Sequence, residues 1–337
     1  MLDGFIDEGF ADVWTPVALS REVGKKPLGL TLASERVVLF RGEDGRVGAL
    51  RDRCPHRGVK LSLGKVEKDG CLSCPFHGWR FKADGTNAHV PLNALPEEKR
   101  RFLGATAFPV RERGGLIWLY TRPGTEAPEE PVVPSTLEDE DFHVWQYVET
   151  WRTHWTRAME NMLDSPHLPF IHRRTIGGQL RRKMTPDSRM DVQVEHSPTG
   201  FRTTWSMDGG GSEAYLDWTR PNGMTLGIPA MGKRIMRMYV WSVPRDAGHT
   251  RLFVAGTRNF LHYNPLGWMF DQFNRVIIKE DRSVVESSDP AEVPPPSEEK
   301  SVATDRATLA FRKWYLERVR KQPGEAPVTA LPSSLAG

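Results

Sequence analysis

Cys54-Pro55-His56-Arg57-Gly58 and Cys74-Pro75-Phe76-His77-Gly78-Trp79 are the two stretches on which the reading of this chain turns. Seventeen residues separate His56 from Cys74. Each stretch offers one thiolate and one imidazole, so two short loops can grip one metal centre between them. Gly58 and Gly78 follow each His closely and permit tight backbone turns, while Pro55 and Pro75 stiffen the loops. A zinc ion is satisfied by the same four ligand types, but it leaves the paired Pro and Gly residues without a reason. Cys71-Leu72-Ser73-Cys74 formally matches a redox dithiol. Its setting at a β turn, rather than at a helix N-terminus, argues against that role and leaves Cys71 as a buried spectator.

The pattern Cys-x-His followed by Cys-x-x-His resembles the Rieske family. The resemblance implies a 2Fe–2S cluster in which Cys54 and Cys74 bind one iron while His56 and His77 bind the other. Neutral imidazole in place of thiolate raises the reduction potential above that of an all-Cys cluster. Respiratory members carry a further Cys in each loop; here Phe76 and non-Cys residues after His56 stand in those places. The resemblance is therefore to the oxygenase and ferredoxin branch.

Working outward, residues up to about 122 read as short β segments split by turns. Val37–Phe40 and Val47–Leu50 flank the turn Gly42–Gly45, Trp79–Phe81 precedes the turn Ala83–Gly85, and Leu116–Tyr120 follows Gly114-Gly115. Such spacing predicts a small antiparallel β domain. A Pro/Glu-rich linker comes next. Residues around Trp151 to Leu163 are expected to be helical, Asp191 to Phe260 to alternate as strands of a half-exposed sheet, and Asn264 to Ser288 and Asp305 to Lys321 to be helices. The fold class expected is α+β. It comprises an all-β Rieske 2Fe–2S domain (1–122), a linker (123–135), a catalytic mononuclear-iron domain of antiparallel sheet and helices (136–322, a START-like helix-grip) and a disordered tail (323–337).

An isolated Rieske ferredoxin would end near residue 120, yet this chain continues through Asn161-Met162-Leu163-Asp164-Ser165-Pro166-His167 to His172. Asn161, Asp164 and His167 recur every three residues, so on a helix they share a direction. Pro166 and Pro169 are expected to end that helix and to set His167 and His172 beside a turn that brings their rings together. Two His and one carboxylate on one face of an octahedron suit non-heme ferrous iron and leave three positions open. Taken alone, a helix-terminal Asp and two surface His would read the same way. The segment resembles the Asn/Asp…His…His motif of Rieske oxygenases. By that resemblance His167 and His172 are iron ligands and Asp164 is a bridging acid between an iron-bound His and a cluster-bound His, a carboxylate that also fixes the imidazole tautomer. Asn161 tunes the site or simply fills it.

For the third ligand, the stretch Phe270 to Ser288 offers Glu280, Asp281 and Glu286. Ile277, Ile278, Val284 and Val285 lie three or four residues from Asp281, which puts it mid-stripe on a buried face. An unpaired carboxylate there is costly and a metal partner removes the difficulty; an Arg partner would too. Glu280 lies nearer the edge of the stripe. The reading takes Asp281 as the ligand.

The bulk numbers agree with this outline. The 337 residues are 39% apolar, include 11 Trp and 15 Phe, and carry a formal net charge of +3. No basic stripe, acidic tail, signal peptide or membrane span is expected, so neither nucleic acid nor membrane is an expected partner. Three cysteines make no disulfide framework, which fits the cytoplasm. Trp205, Tyr215, Trp218, Tyr239 and Trp241 could line an organic-substrate pocket but read better as sheet core.

The resemblance spans nearly the whole chain and is to the phthalate dioxygenase and vanillate O-demethylase-like group. It implies a terminal oxygenase that spends O2 and electrons at a mononuclear Fe(II). The substrate is a small organic molecule, aromatic or alkaloid-like, and the reaction hydroxylation or O/N-dealkylation. It also implies electrons from NAD(P)H through a separate flavin and iron–sulfur reductase, and a head-to-tail homotrimer. The alternative is an electron-transfer protein that lacks the mononuclear iron.

Overall fold

The computed structural model describes residues 3–230, 232–262 and 265–320; the expected tail at 323–337 lies outside the described residues. The N-terminal half is built of short strands, as the dense turn signals require. Strands β1 (Trp14–Leu19), β2 (Leu28–Leu32), β3 (Glu35–Arg41) and β4 (Val47–Arg51) are followed by the two-residue strands β5 (Lys65–Val66), β6 (Leu72–Ser73) and β7 (Arg80–Phe81). After β8 (Asn87–His89) come β9 (Ala107–Phe108), β10 (Val110–Arg113) and β11 (Leu116–Tyr120). They form three antiparallel sheets ordered β1-β11-β10, β2-β3-β4-β9 and β5-β6-β7-β8.

The C-terminal half is one seven-stranded antiparallel sheet with helices on one face. The strands are β12 (His143–Trp151), β13 (Met190–Ser197), β14 (Gly200–Met207), β15 (Gly210–Thr219), β16 (Gly223–Ile228), β17 (Met236–Asp246) and β18 (His249–Arg258), in the order β12-β18-β17-β16-β15-β14-β13. Period-two alternation decides what each face meets. On β17, Met238 and Val240 turn to the helices while Tyr239, Trp241 and Val243 join a core shared with Val17, Leu39 and Trp118 of the N-terminal half. Both faces are covered, which is why β17 and β18 read as almost unbroken apolar runs. The half-exposed sheet expected from alternation thus becomes a buried one at its centre.

The helices that matter are α3 (Trp155–Leu163), α4 (Leu168–Ile171), α5 (Gly178–Lys183), α6 (Pro265–Val285) and α7 (Arg306–Arg320), after the short α1 (Asp3–Asp7) and α2 (Glu97–Arg100). The long helices fall within a few residues of expectation. The segment around Trp151 does not: Trp151 ends strand β12, and the helix begins at Trp155 behind the N-cap His154, whose ring accepts from the Thr156 N–H. Trp155 is fully buried, with its ring edge-on to Phe10, Phe311 and Tyr315 at centroid distances of 5.0, 5.8 and 5.4 Å. This anchor fixes the helix that leads into the His167 segment.

Trp155→Ala is expected to cost roughly 3–5 kcal/mol, the range for emptying an aromatic core site. The readout is the midpoint of thermal unfolding; an unchanged midpoint would mean that α3 is held elsewhere.

Candidate functional site

The two Cys/His loops close in the same way. Cys54 N–H donates to Val59 O at 2.8 Å and Gly58 N–H to Cys54 O at 2.8 Å; Cys74 N–H donates to Trp79 O at 2.8 Å and Gly78 N–H to Cys74 O at 3.0 Å. Gly58 and Gly78 both sit at positive φ, +72° and +68°, where a side chain is strained. Each turn thus presents its Cys inward and its His outward from one edge of the domain. Cys54 and Cys74 are buried, whereas His77 is exposed and His56 half-buried. The His56 and His77 ring centroids are 4.7 Å apart, and His56 stacks on Trp79 at 4.6 Å.

This donor set fits a cluster. Burial, opposed in part by the His56 and Arg57 N–H groups and aided by Cys74, pushes the Cys54 thiol up to about 11. Bare, it stays protonated at neutral pH; a bound metal would take it as thiolate. His56 Nδ1 is buried with no hydrogen-bond partner. All three cysteines are unbridged, and the thiol of Cys71, also buried, makes a long contact to Asp69 O at 3.9 Å.

The second constellation assembles differently from the helix face expected. Helix α3 stops at Leu163, and Asp164 is extended (φ −88°, ψ 123°). Its Oδ2 accepts from the His167 N–H at 3.0 Å, opening a new turn in which His167 and His172 cap the two ends of α4. Pro169 lies inside α4 and does not end α3. The expected outcome, two rings brought together, holds at a centroid distance of 5.1 Å.

Asp281 comes from α6, where Ile277, Ile278 and Val285 are buried with it, but Val284 is 50% exposed and does not belong to that face. His172 Nε2 lies 3.1 Å from Asp281 Oδ1, His167 Nε2 lies 3.6 Å from the same oxygen, and the two Nε2 atoms are 3.3 Å apart. Yet Asp281 Oδ1 is buried without a hydrogen-bond partner. The three donor atoms all lie within 4.8 Å of each other, close enough to share one ion.

The opposite ring edges explain why. His167 Nδ1 is 3.0 Å from Asp164 Oδ2, and His172 Nδ1 is 2.8 Å from Glu280 Oε2. An Nδ1–H donated to each carboxylate leaves both Nε2 atoms as lone pairs. Two lone pairs and a carboxylate oxygen facing one buried point repel unless a cation sits among them. The donor chemistry therefore fits a divalent metal such as ferrous iron. Burial disfavours the charged form of His172, but the Asp281 and Glu280 carboxylates outweigh it and its pKa is raised.

Glu280 is the residue that sequence reasoning passed over. It lies at the stripe edge as expected, and from there it reaches His172 and accepts the Thr175 hydroxyl at 2.6 Å. Its adjacency to Asp281 was the available signal. Behind the three donors opens an apolar cavity of about 220 Å³, lined among others by Met162, Trp205, Leu216, Met224 and Met238. Of the aromatic residues considered from sequence, Trp205 lines it. Trp218 is buried against α7, and Tyr239 and Trp241 face the N-terminal half. On the outer side of Asp164 and His167 a polar depression is walled by the ion pairs of Arg157 and Arg312 with Glu160 and Glu299. Among the described residues no helix is long and apolar enough to cross a membrane.

Both halves of the chain match known protein families. Residues 13–98 match the Rieske [2Fe-2S] domain and residues 151–321 the vanillate O-demethylase oxygenase C-terminal domain. The chain is 33% identical over 189 residues to the 3-chlorobenzoate-3,4-dioxygenase oxygenase subunit of Comamonas testosteroni, covering 56% of this chain and 43% of that one. It is 29% identical over 346 residues to the chloroplastic chlorophyllide a oxygenase of Chlamydomonas reinhardtii, covering 96% of this chain and 51% of that one. The chain thus spans about half the length of these two relatives. Methylxanthine N1-demethylase NdmA of Pseudomonas putida is 28% identical over 347 residues, covering 94% of this chain and 92% of NdmA. The solved NdmA structure superposes with a TM-score of 0.77 at 26% identity, over 93% of this chain and 91% of that one. With a Rieske [2Fe-2S] domain and an oxygenase C-terminal domain matched in that order, the chain belongs to the Rieske non-heme iron oxygenase family.

Proposed function

We propose that this chain is a terminal oxygenase component, a mono- or dioxygenase that acts on a small organic substrate by hydroxylation or O/N-dealkylation. The observation that carries the reading is the convergence of His167, His172 and Asp281 at the end of an apolar cavity. An electron carrier has no use for such a cavity. In this reading Cys54, Cys74, His56 and His77 hold the cluster, His167, His172 and Asp281 hold Fe(II), and the domains divide at 1–122, 123–135 and 136–322. When bound, the cluster would supply single electrons that originate from NAD(P)H through a separate flavin and iron–sulfur reductase, and the ferrous ion would supply the dioxygen chemistry.

The protein's own contributions follow from the geometry. The three ligands occupy one side of the site and leave its other side facing the cavity. Asp164 and Glu280 hold the Nδ1 protons of His167 and His172, which keeps both Nε2 atoms available. The apolar wall excludes water and orients the substrate. The relatives' names include a chlorobenzoate and a methylxanthine, so kinship leaves the substrate's charge open.

Asp164 is the acid that links the two metal sites, and the link runs between subunits. Two features support a head-to-tail homotrimer. First, Cys54 and Cys74 lie in a core made wholly of N-terminal residues, while another core joins that half to the sheet face turned away from the cavity. The cluster loops and the helices that carry the iron ligands therefore pack in different cores of one chain. Second, His77 and Phe76 project outward, and the depression outside Asp164 offers a place for a neighbour's loops. A ring of donor and acceptor faces satisfies both. Three unbridged cysteines suit a cytoplasmic setting.

Two variants test the roles. Asp164→Ala is expected to keep cluster colour and, with Fe(II) supplied until the site is filled, still to lose NAD(P)H-driven turnover; undiminished turnover would remove the bridging role. Glu280→Ala is expected to weaken Fe(II) uptake roughly 10–100-fold. Chelator competition measures this, with the cluster spectrum unchanged; equal affinity would mean that Glu280 does not orient His172.

A further inference from the structure

The cavity wall carries information about what it accepts. Among the described residues that line it there is no Lys or Arg. Apart from the four groups at the iron site and the indole of Trp205, the polar side chain in the lining is Asn161. The residue lines both this cavity and the outer depression beside Asp164, and its Nδ2 is buried and has no hydrogen-bond partner. A buried amide N–H without a partner is costly and is normally satisfied, so a ligand acceptor at this point is favoured. The cations of the covering segment do not alter the picture. Ile176, Gly177 and Leu180 turn toward the cavity, while Arg173, Arg174, Arg181, Arg182 and Lys183 stay exposed to solvent.

Size sets a second limit. An apolar cavity of roughly 150 Å³ admits benzene. The cavity here, about 220 Å³, has room for a substituted single ring or two small fused rings.

We infer that the cavity selects an uncharged, largely apolar molecule of one or two small rings bearing a hydrogen-bond acceptor, and that Asn161 is the specificity-determining residue that donates to that acceptor. The inference rests on the oxygenase reading of the same site. An organic anion entering this wall loses its hydration and meets no counter-charge beyond the metal, so its desolvation is not offset. A neutral ether or carbonyl oxygen loses little and gains the Asn161 bond.

The test is anaerobic isothermal titration of the holoenzyme with three probes of one shape: 4-methylanisole, 4-methoxybenzoate and p-xylene. The unaltered protein is expected to bind 4-methylanisole at least about a hundredfold more tightly than the carboxylate. Asn161→Leu, with iron content verified, is expected to weaken 4-methylanisole roughly tenfold and to leave p-xylene unchanged. Equal or tighter binding of the carboxylate overturns the inference, as does a parallel loss of p-xylene in the variant or failure of every neutral probe to bind. The charge comparison needs no variant, so it decides even if Asn161→Leu does not fold. Oxygen uptake with a surrogate reductase is measured separately. A neutral probe that binds and is never oxidised sinks the oxygenase reading while leaving the cavity's preference standing.

Discussion

Two imidazole lone pairs and a carboxylate oxygen are held within 3.6 Å of one another in a largely buried place, and their mutual repulsion is the constraint around which the catalytic half is organised. Buried donors of like polarity are tolerated when a cation joins them. Everything nearby holds that geometry in place. Asp164 and Glu280 tie down the far edges of both rings, α6 carries Glu280 and Asp281 as chain neighbours, and α3 is fastened by Trp155 and by the ion pairs of Arg157 and Arg312.

The adjacency of Glu280 and Asp281 is economical. Successive residues on a helix point about 100° apart, so one turn of α6 can approach His172 from two sides. Asp281 reaches Nε2 and Glu280 reaches Nδ1. The two carboxylates therefore act on opposite edges of one ring, and the apolar residues beside Asp281 keep water from competing for its oxygen.

Much of this was legible in the residues. The paired Cys-Pro and His-Gly spacing announced two like turns, and the structure closes both with matching hydrogen bonds. The apolar stripe through Ile277 and Ile278 exposed Asp281 as a carboxylate in the wrong surroundings for a bare charge. What escaped was whatever depends on pairing across the chain. The residues around Trp151 have helical neighbours in sequence but a strand partner, Thr250, in space. Three-residue spacing suggested one helix through His167, whereas the Asp164 side chain accepts from the His167 backbone and starts a fresh turn. Parity alone shows that Tyr239 and Trp241 share a face; only the packing of the N-terminal half decides that this face is not the cavity. Glu280 was visible as an edge residue, but nothing local says which ring it meets.

Two metal centres in one polypeptide are what separate an oxygenase from an electron carrier. The most direct measurement is iron and acid-labile sulfide per chain in fully metallated protein. Three irons with two sulfides are expected; two irons with two sulfides would contradict the account and leave an electron carrier in its place.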